Sequence, residues 1–145
     1  MYLVDTNVIS MAAPSKAPPQ RNLVAWMDAN SDALFLSSVS IAEIQDGIAK
    51  ARRVGETGKA TALEAWLETL IHLYGDRVLP FDVNVARVAG NISDKARALG
   101  RPPGFADIII AATATHHRLT LLTRNVKHFK PLGVALHDPF AVLPK

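Results

Sequence analysis

Apolar residues along this chain alternate between short continuous runs and longer helical stripes. Met1-Tyr2-Leu3-Val4 reads as a short buried strand, and Asp5-Thr6-Asn7 then supplies capping residues before Val8-Ile9-Ser10-Met11. Ala33 to Val39 is a second strand-like run. Ser40 can cap a helix with Ile41, Ile44 and Ile48 on one face, and Ser40-Ile41-Ala42-Glu43 has the form of a capping box. Pro14 to Pro19 predicts a loop, with Pro19 able to start a helix whose buried stripe is Leu23, Trp26 and Met27. Ala60 to Tyr74 repeats the helical pattern through Leu63, Trp66, Leu67, Leu70 and Ile71. Arg77 to Phe81 is a short strand broken by Pro80, and Asp82 can cap a helix carrying Val85, Val88, Ala89 and Ile92. Arg101-Pro102-Pro103-Gly104 forces a turn before a strongly apolar helix, Phe105 to Ala114. Leu119 to Thr123 and Val134 to Leu136 close the series. Strands alternating with helices in this way predict an α/β fold, a mainly parallel sheet between helical layers.

Composition limits the classes that remain. The 145 residues suit one domain, 1–145, large enough for a real core. A hydrophobic content of 49% with 20% charged residues describes a compact chain, not a disordered one. No window approaches the roughly eighteen uninterrupted apolar residues of a membrane span. The N-terminus also lacks a basic stretch ahead of an apolar one. The expectation is a cytoplasmic protein with no membrane association. The absence of cysteine excludes disulfides and thiolate metal sites.

Charge is unevenly spread. Residues 1–86 hold seven Lys/Arg against ten Asp/Glu, a balance of −3, whereas residues 87–145 hold nine against three, a balance of +6. That asymmetry suits a polyanion-binding face beside an acidic pocket, although solvated helix faces produce it too.

Three acids stand out against this background. Asp107 lies within Phe105-Ala106-Asp107-Ile108-Ile109-Ile110, with no Lys or Arg between Arg101 and Arg118 to compensate it. An ionised carboxylate packed in such a helix costs several kcal/mol unless a cation balances it. It either caps the helix start or faces a cleft holding a metal ion. Asp5 ends the first strand, where open α/β sheets bind ligands, and its alternative role is an N-cap. Glu43 has the capping-box alternative already given. Taken together, three acids in apolar settings favour a metal. His116-His117 end the apolar helix, where they suit exposed carbonyls, and adjacent positions on a helix point apart, against a joint zinc site. Trp26 and Trp66, at apolar helical spacing, read as core or dimer-interface residues.

Four blocks then resemble those of PIN-domain ribonucleases: Val4-Asp5-Thr6-Asn7, Ser38 to Gly47, Phe105 to Ala114, and Leu122-Thr123-Arg124-Asn125-Val126-Lys127-His128-Phe129. In order and spacing they resemble the prokaryotic VapC toxins, especially the FitB-like branch, over essentially the whole chain. The resemblance implies a three-layer α/β/α PIN-like fold and a Mg²⁺- or Mn²⁺-dependent endoribonuclease. It also implies a homodimer held inactive by a cognate antitoxin protein. Asp5, Glu43 and Asp107 match the family's acidic, metal-holding positions. Many members carry a fourth carboxylate at the position of Asn125 or of His128, and here neither is acidic.

The chemistry accounts for converging acids. Phosphodiester hydrolysis needs an activated water and neutralisation of charge growing on phosphate, and Mg²⁺ prefers a few carboxylates with retained waters. Thr6, Asn7, Thr123 and Asn125 could support the site by orienting waters or phosphate oxygens; turn and capping chemistry is the alternative, above all for Asn7. Arg124, Lys127 and Lys130 are the expected RNA-binding residues. A receiver-like phosphoacceptor domain would show paired acids after its first strand and a late Lys, and this chain has neither. An RNA-binding regulatory PIN-like domain with a weakened active site stays open.

Overall fold

The computed structural model describes residues 1–14, 20–100 and 102–145. Five strands, β1 (Tyr2–Val4), β2 (Leu34–Ser37), β3 (Val78–Leu79), β4 (Thr120–Leu122) and β5 (Leu136–His137), form one sheet in the order β3-β2-β1-β4-β5. Every pairing is parallel, with Tyr2 opposite both Leu34 and Thr120. Parallel strands need crossovers, and the helices supply them. They are α1 (Thr6–Ile9), α2 (Arg21–Ala29), α3 (Ser38–Arg53), α4 (Thr57–Tyr74), α5 (Val83–Ala98), α6 (Phe105–His116) and α7 (Val126–Phe129).

Strand alternation sends successive residues to opposite faces, and two cores result. Leu3 and Leu121 pack with Val85, Ala89 and Ile92 of α5, with Ile108 and Ile110 of α6, and with Phe129. Their neighbours Val4 and Leu122 pack instead with Leu23 and Met27 of α2, Ile44 and Ile48 of α3, and Leu67 and Leu70 of α4. The expected helix–sheet–helix layering follows from this division. Trp26 and Trp66 are partly buried against the second core, and Trp26 meets Tyr2 edge to face at 5.6 Å.

Local chemistry moves several boundaries. Ser37, not Ser40, caps α3, its hydroxyl accepting from the Val39 amide at 3.2 Å. The strand therefore ends at Ser37 and the helix starts before Ser40, which removes the capping box. Ser40 is completely buried inside the helix. Asp82 caps α5 as expected, accepting from the Val85 amide at 2.9 Å. Ile71, placed on the buried stripe of α4, is 38% exposed, because the buried face runs through Ala60, Leu67 and Leu70. The C-terminal strand falls one to two residues later than the apolar run, at Leu136–His137. The predicted loop from Pro14 and the Pro19 helix start lie largely outside the described residues, as does Arg101; Pro102 and Pro103 carry no regular structure and Gly104 is the N-cap of α6. The histidine pair also departs from expectation. The helix ends at His116, His117 is its C-cap with its amide still donating to the Thr113 carbonyl at 3.1 Å, and the two rings meet edge to face at 4.8 Å. Among the described residues, no helix is long and apolar enough to cross a membrane.

The α5–α6 layer rests on Ile110, which is 1% exposed among Ile, Ala and Leu neighbours. Ile110→Ala should cost about 2–5 kcal/mol, read as a lower urea midpoint at unchanged slope.

Candidate active site at the C-terminal edge of the sheet

Parallel strands end together, so residues that follow them meet at one edge. Asp5 follows β1, and its amide continues the ladder by donating to the Leu122 carbonyl at 2.9 Å. Thr123, the next residue after β4, donates from its hydroxyl to Asp5 Oδ2 at 2.7 Å. The Asn125 amide donates to that Thr123 hydroxyl oxygen at 3.0 Å. Asp5 is also the N-cap of α1, accepting at Oδ1 from the Thr6 amide at 2.8 Å. The capping and cleft roles are thus compatible: each carboxylate oxygen has one protein donor and further lone pairs to offer.

Thr6 bridges to the next crossover. Its Oγ1 lies 2.7 Å from Glu43 Oε1 and 2.8 Å from Ser40 Oγ. One hydroxyl has one proton; donation to the carboxylate leaves Ser40 to donate to Thr6. Glu43 is exposed on α3, not packed in an apolar setting as its sequence neighbours suggested. Glu43 therefore reaches the site sideways across the helix, not back towards its own N-terminus.

Asp107 is the third residue of α6, partly buried, at a helix start where backbone amides favour negative charge. Its Oδ2 lies 3.6 Å from His128 Nδ1 on α7. His128 is the neighbour that sequence reasoning misses, since nothing local in sequence pairs it with Asp107. Ser40 supports Thr6 and does not cap the helix.

Electrostatics join the three acids. Burial pushes the Asp5 carboxyl above its ordinary 3.8, the Thr123 and Thr6 hydrogen bonds pull it back, and the charges of Asp107 and Glu43 raise it again. Among the described residues, neither Asp5 nor Glu43 has a Lys or Arg in salt-bridge contact. Among these residues Asp5 and Glu43 are acids without a cationic partner, Asp107 faces only His128, and all three offer hard oxygens, a set that fits Mg²⁺ or Mn²⁺. Each acid is at present drawn to a local partner. Consistent with this, among the described residues no three Asp, Glu or His side chains are gathered closely enough to hold an ion.

The supporting and basic positions lie along the same edge. Asn7 Oδ1 accepts weakly from the Arg124 amide at 3.4 Å, tying α1 to the chain just after β4, a long-range contact in place of the local turn or capping bond expected of it. The Arg124 guanidinium stacks 3.8 Å from the centre of the Phe140 ring. Lys127 and Lys130 are exposed on and just after α7.

A family model described as the PIN domain matches residues 2–132, nearly the whole chain. The chain belongs to the PIN-domain family. Within it, the chain is 35% identical to Toxin FitB of Neisseria gonorrhoeae, covering 97% of this chain and 99% of that protein. A VapC ribonuclease of Sinorhizobium fredii is also 35% identical, over 97% of this chain and 98% of its own length. The crystal structure of FitAcB from Neisseria gonorrhoeae superposes with a TM-score of 0.85 at 35% identity, covering 98% of this chain and all of that one.

The raised Asp5 carboxyl sets a pH dependence. Below 3.8 both folded and unfolded states hold the proton and burial costs nothing; as pH rises through the folded value, the native state loses that advantage. Metal-free Asp5→Asn should therefore melt above wild type at neutral pH, with the gap closing in acid below the ordinary carboxylate value. Each kcal/mol relieved appears as roughly 2–4 °C in a domain of this size. A gap that widens in acid would contradict the assigned cause.

Proposed function

We propose that the protein is an endoribonuclease, dependent on Mg²⁺ or Mn²⁺, that acts as the toxin of a toxin–antitoxin pair. The observation that carries this reading is a buried, uncompensated Asp5 within electrostatic reach of Glu43 and Asp107. The names of its relatives, a toxin and a ribonuclease, support it. Asp5, Glu43 and Asp107 would hold the ion, which when bound polarises the phosphate and lowers the pKa of a coordinated water.

The chain's own residues do the rest. Thr123 and the Thr6 amide fix the Asp5 carboxylate through one oxygen each, so its free lone pairs have one orientation. Thr6 does the same for Glu43. Asn125 supplies a carbonyl oxygen for a water or phosphate-bound group but no negative charge. Arg124, Lys127 and Lys130 attract the phosphate backbone of single-stranded RNA, and Asn7 steadies the turn beneath them. One domain, residues 1–145, carries the whole site, working in the cytoplasm as a homodimer. A cognate antitoxin would silence it by placing a cationic side chain against the three acids.

The alternative, an RNA-binding regulatory domain with a weakened site, draws on one observation: Asn125 and His128 are both non-acidic, where the family resemblance implies a fourth carboxylate at one or the other. Asp5→Ala should lower metal-dependent cleavage of single-stranded RNA on the order of 100-fold or more. RNA binding by that variant should persist and weaken steeply with salt. Asn125→Asp should hold or raise the rate. If wild type cleaves no RNA with either metal while Asn125→Asp does, the regulatory reading replaces the enzyme.

Mutual repulsion among the acids also makes the ion a stabiliser of the folded state. Millimolar Mg²⁺ or Mn²⁺ should raise the melting temperature over that in EDTA, and Asp107→Asn should shrink the rise. Equal melts for both proteins in both buffers would remove the metal site.

A further inference from the structure

Two phenylalanines stand exposed on the edge that carries the acids. Phe105 is 63% exposed and Phe81 41%, although each would gain by burial. Their rings meet edge to face, 6.1 Å between centres and 76° between planes. Topology puts both beside the site. Phe81 follows the C-terminal end of β3 by two residues, and its amide donates at 3.2 Å to the hydroxyl of Ser38, the first residue of α3. That helix carries Ser40 and Glu43. Phe105 opens α6, two residues before Asp107. The pair therefore bridges the helices that present two of the three acids.

Neither ring belongs to either core. An edge-to-face contact uses one ring's rim against the other's face, so a flat aromatic surface remains open to solvent. At the far side of the acids, past β4, three cations are exposed, Arg124, Lys127 and Lys130, beside the uncharged amide of Asn125. Acids lie between an aromatic rim and a basic one. A nucleic-acid strand has the matching division, with flat bases and charged phosphates, and single strands are gripped by stacking bases on aromatic side chains while cations track the backbone.

We propose that Phe105, backed by Phe81, is a stacking platform for one unpaired base of the RNA, on the side of the scissile phosphate away from Arg124 and Lys127. The proposal rests on the ribonuclease reading above. It goes further by assigning the two rings to substrate positioning, with recognition of a base face and not of a base edge. Such recognition tolerates sequence, because every base has a face to stack.

The test uses the wild-type protein, Phe105→Ala, Phe105→Leu and Phe105→Tyr, with a single-stranded RNA oligonucleotide containing one cut site and copies carrying one abasic position each. Phe105→Ala should raise KM roughly five- to a hundredfold with kcat little changed. Phe105→Tyr should keep wild-type kinetics and Phe105→Leu should not. An abasic nucleotide at one position should weaken wild-type binding to the same degree and cost Phe105→Ala nothing more. Equal abasic effects in wild type and Phe105→Ala at every position would overturn the platform, as would wild-type kinetics in Phe105→Leu. Sedimentation adds a third way to fail: a dimeric wild type that becomes monomeric as Phe105→Ala would make the rings a face between protein copies. Failure of wild type to cleave any RNA with Mg²⁺ or Mn²⁺ would strike the ribonuclease reading itself. Cleavage unaffected by Phe105→Ala would discard the platform alone.

Discussion

One hydrogen bond, from the Asp5 amide to the Leu122 carbonyl, sets the geometry on which the site depends. It extends the β1–β4 ladder one residue past the regular pairing of Val4 with Leu122. Because the two strands are parallel, Asp5 and Thr123 emerge side by side, near enough for hydroxyl and carboxylate to bond. An antiparallel pairing would bring the end of one strand against the start of the other and separate these two residues. The central position of β1, flanked by β2 and β4, also puts the α3 crossover within reach of Thr6. The site is thus a consequence of sheet order before it is a consequence of any side chain.

The same arrangement works against stability. Burial and two like charges oppose ionisation of Asp5, while only neutral donors, Thr123 and the Thr6 amide, favour it. A fold selected for stability alone would place a Lys or Arg there, or an apolar residue of similar size. The cost is tolerable because the helix layers bury so much else: Leu3, Val4, Leu36, Ile48, Ile110, Leu121, Leu122 and Phe129 are all at 1% exposure or less. Core packing supplies the margin, and the acids spend some of it to keep a strong field at the sheet edge.

The order of elements was legible, and the three acids could be singled out as candidates, because both readings rest on patterns local in sequence. Apolar runs mark parallel strands buried on both faces, and an acid directly after such a run stands out. What stayed hidden depends on contacts made at a distance. Ser40 looked like a cap because Ser-x-x-Glu is a capping signature; its true partner, Thr6, is 34 residues away. Glu43 looked buried because its neighbours Ile41 and Ile44 are apolar, yet its own helical direction is outward. His128 gave no signal until α7 placed it across from Asp107.

The departure at Asn125 also has a structural logic. That residue serves the fold through its backbone amide, which holds the Thr123 hydroxyl in line with Asp5. Any residue but proline can provide that amide, and the side chain itself is exposed. An Asn in place of the carboxylate that the family resemblance implies here leaves the Asp5–Thr123 contact intact. The positioning function and the charge at position 125 are therefore separable. The sheet edge keeps the first whatever the side chain supplies of the second.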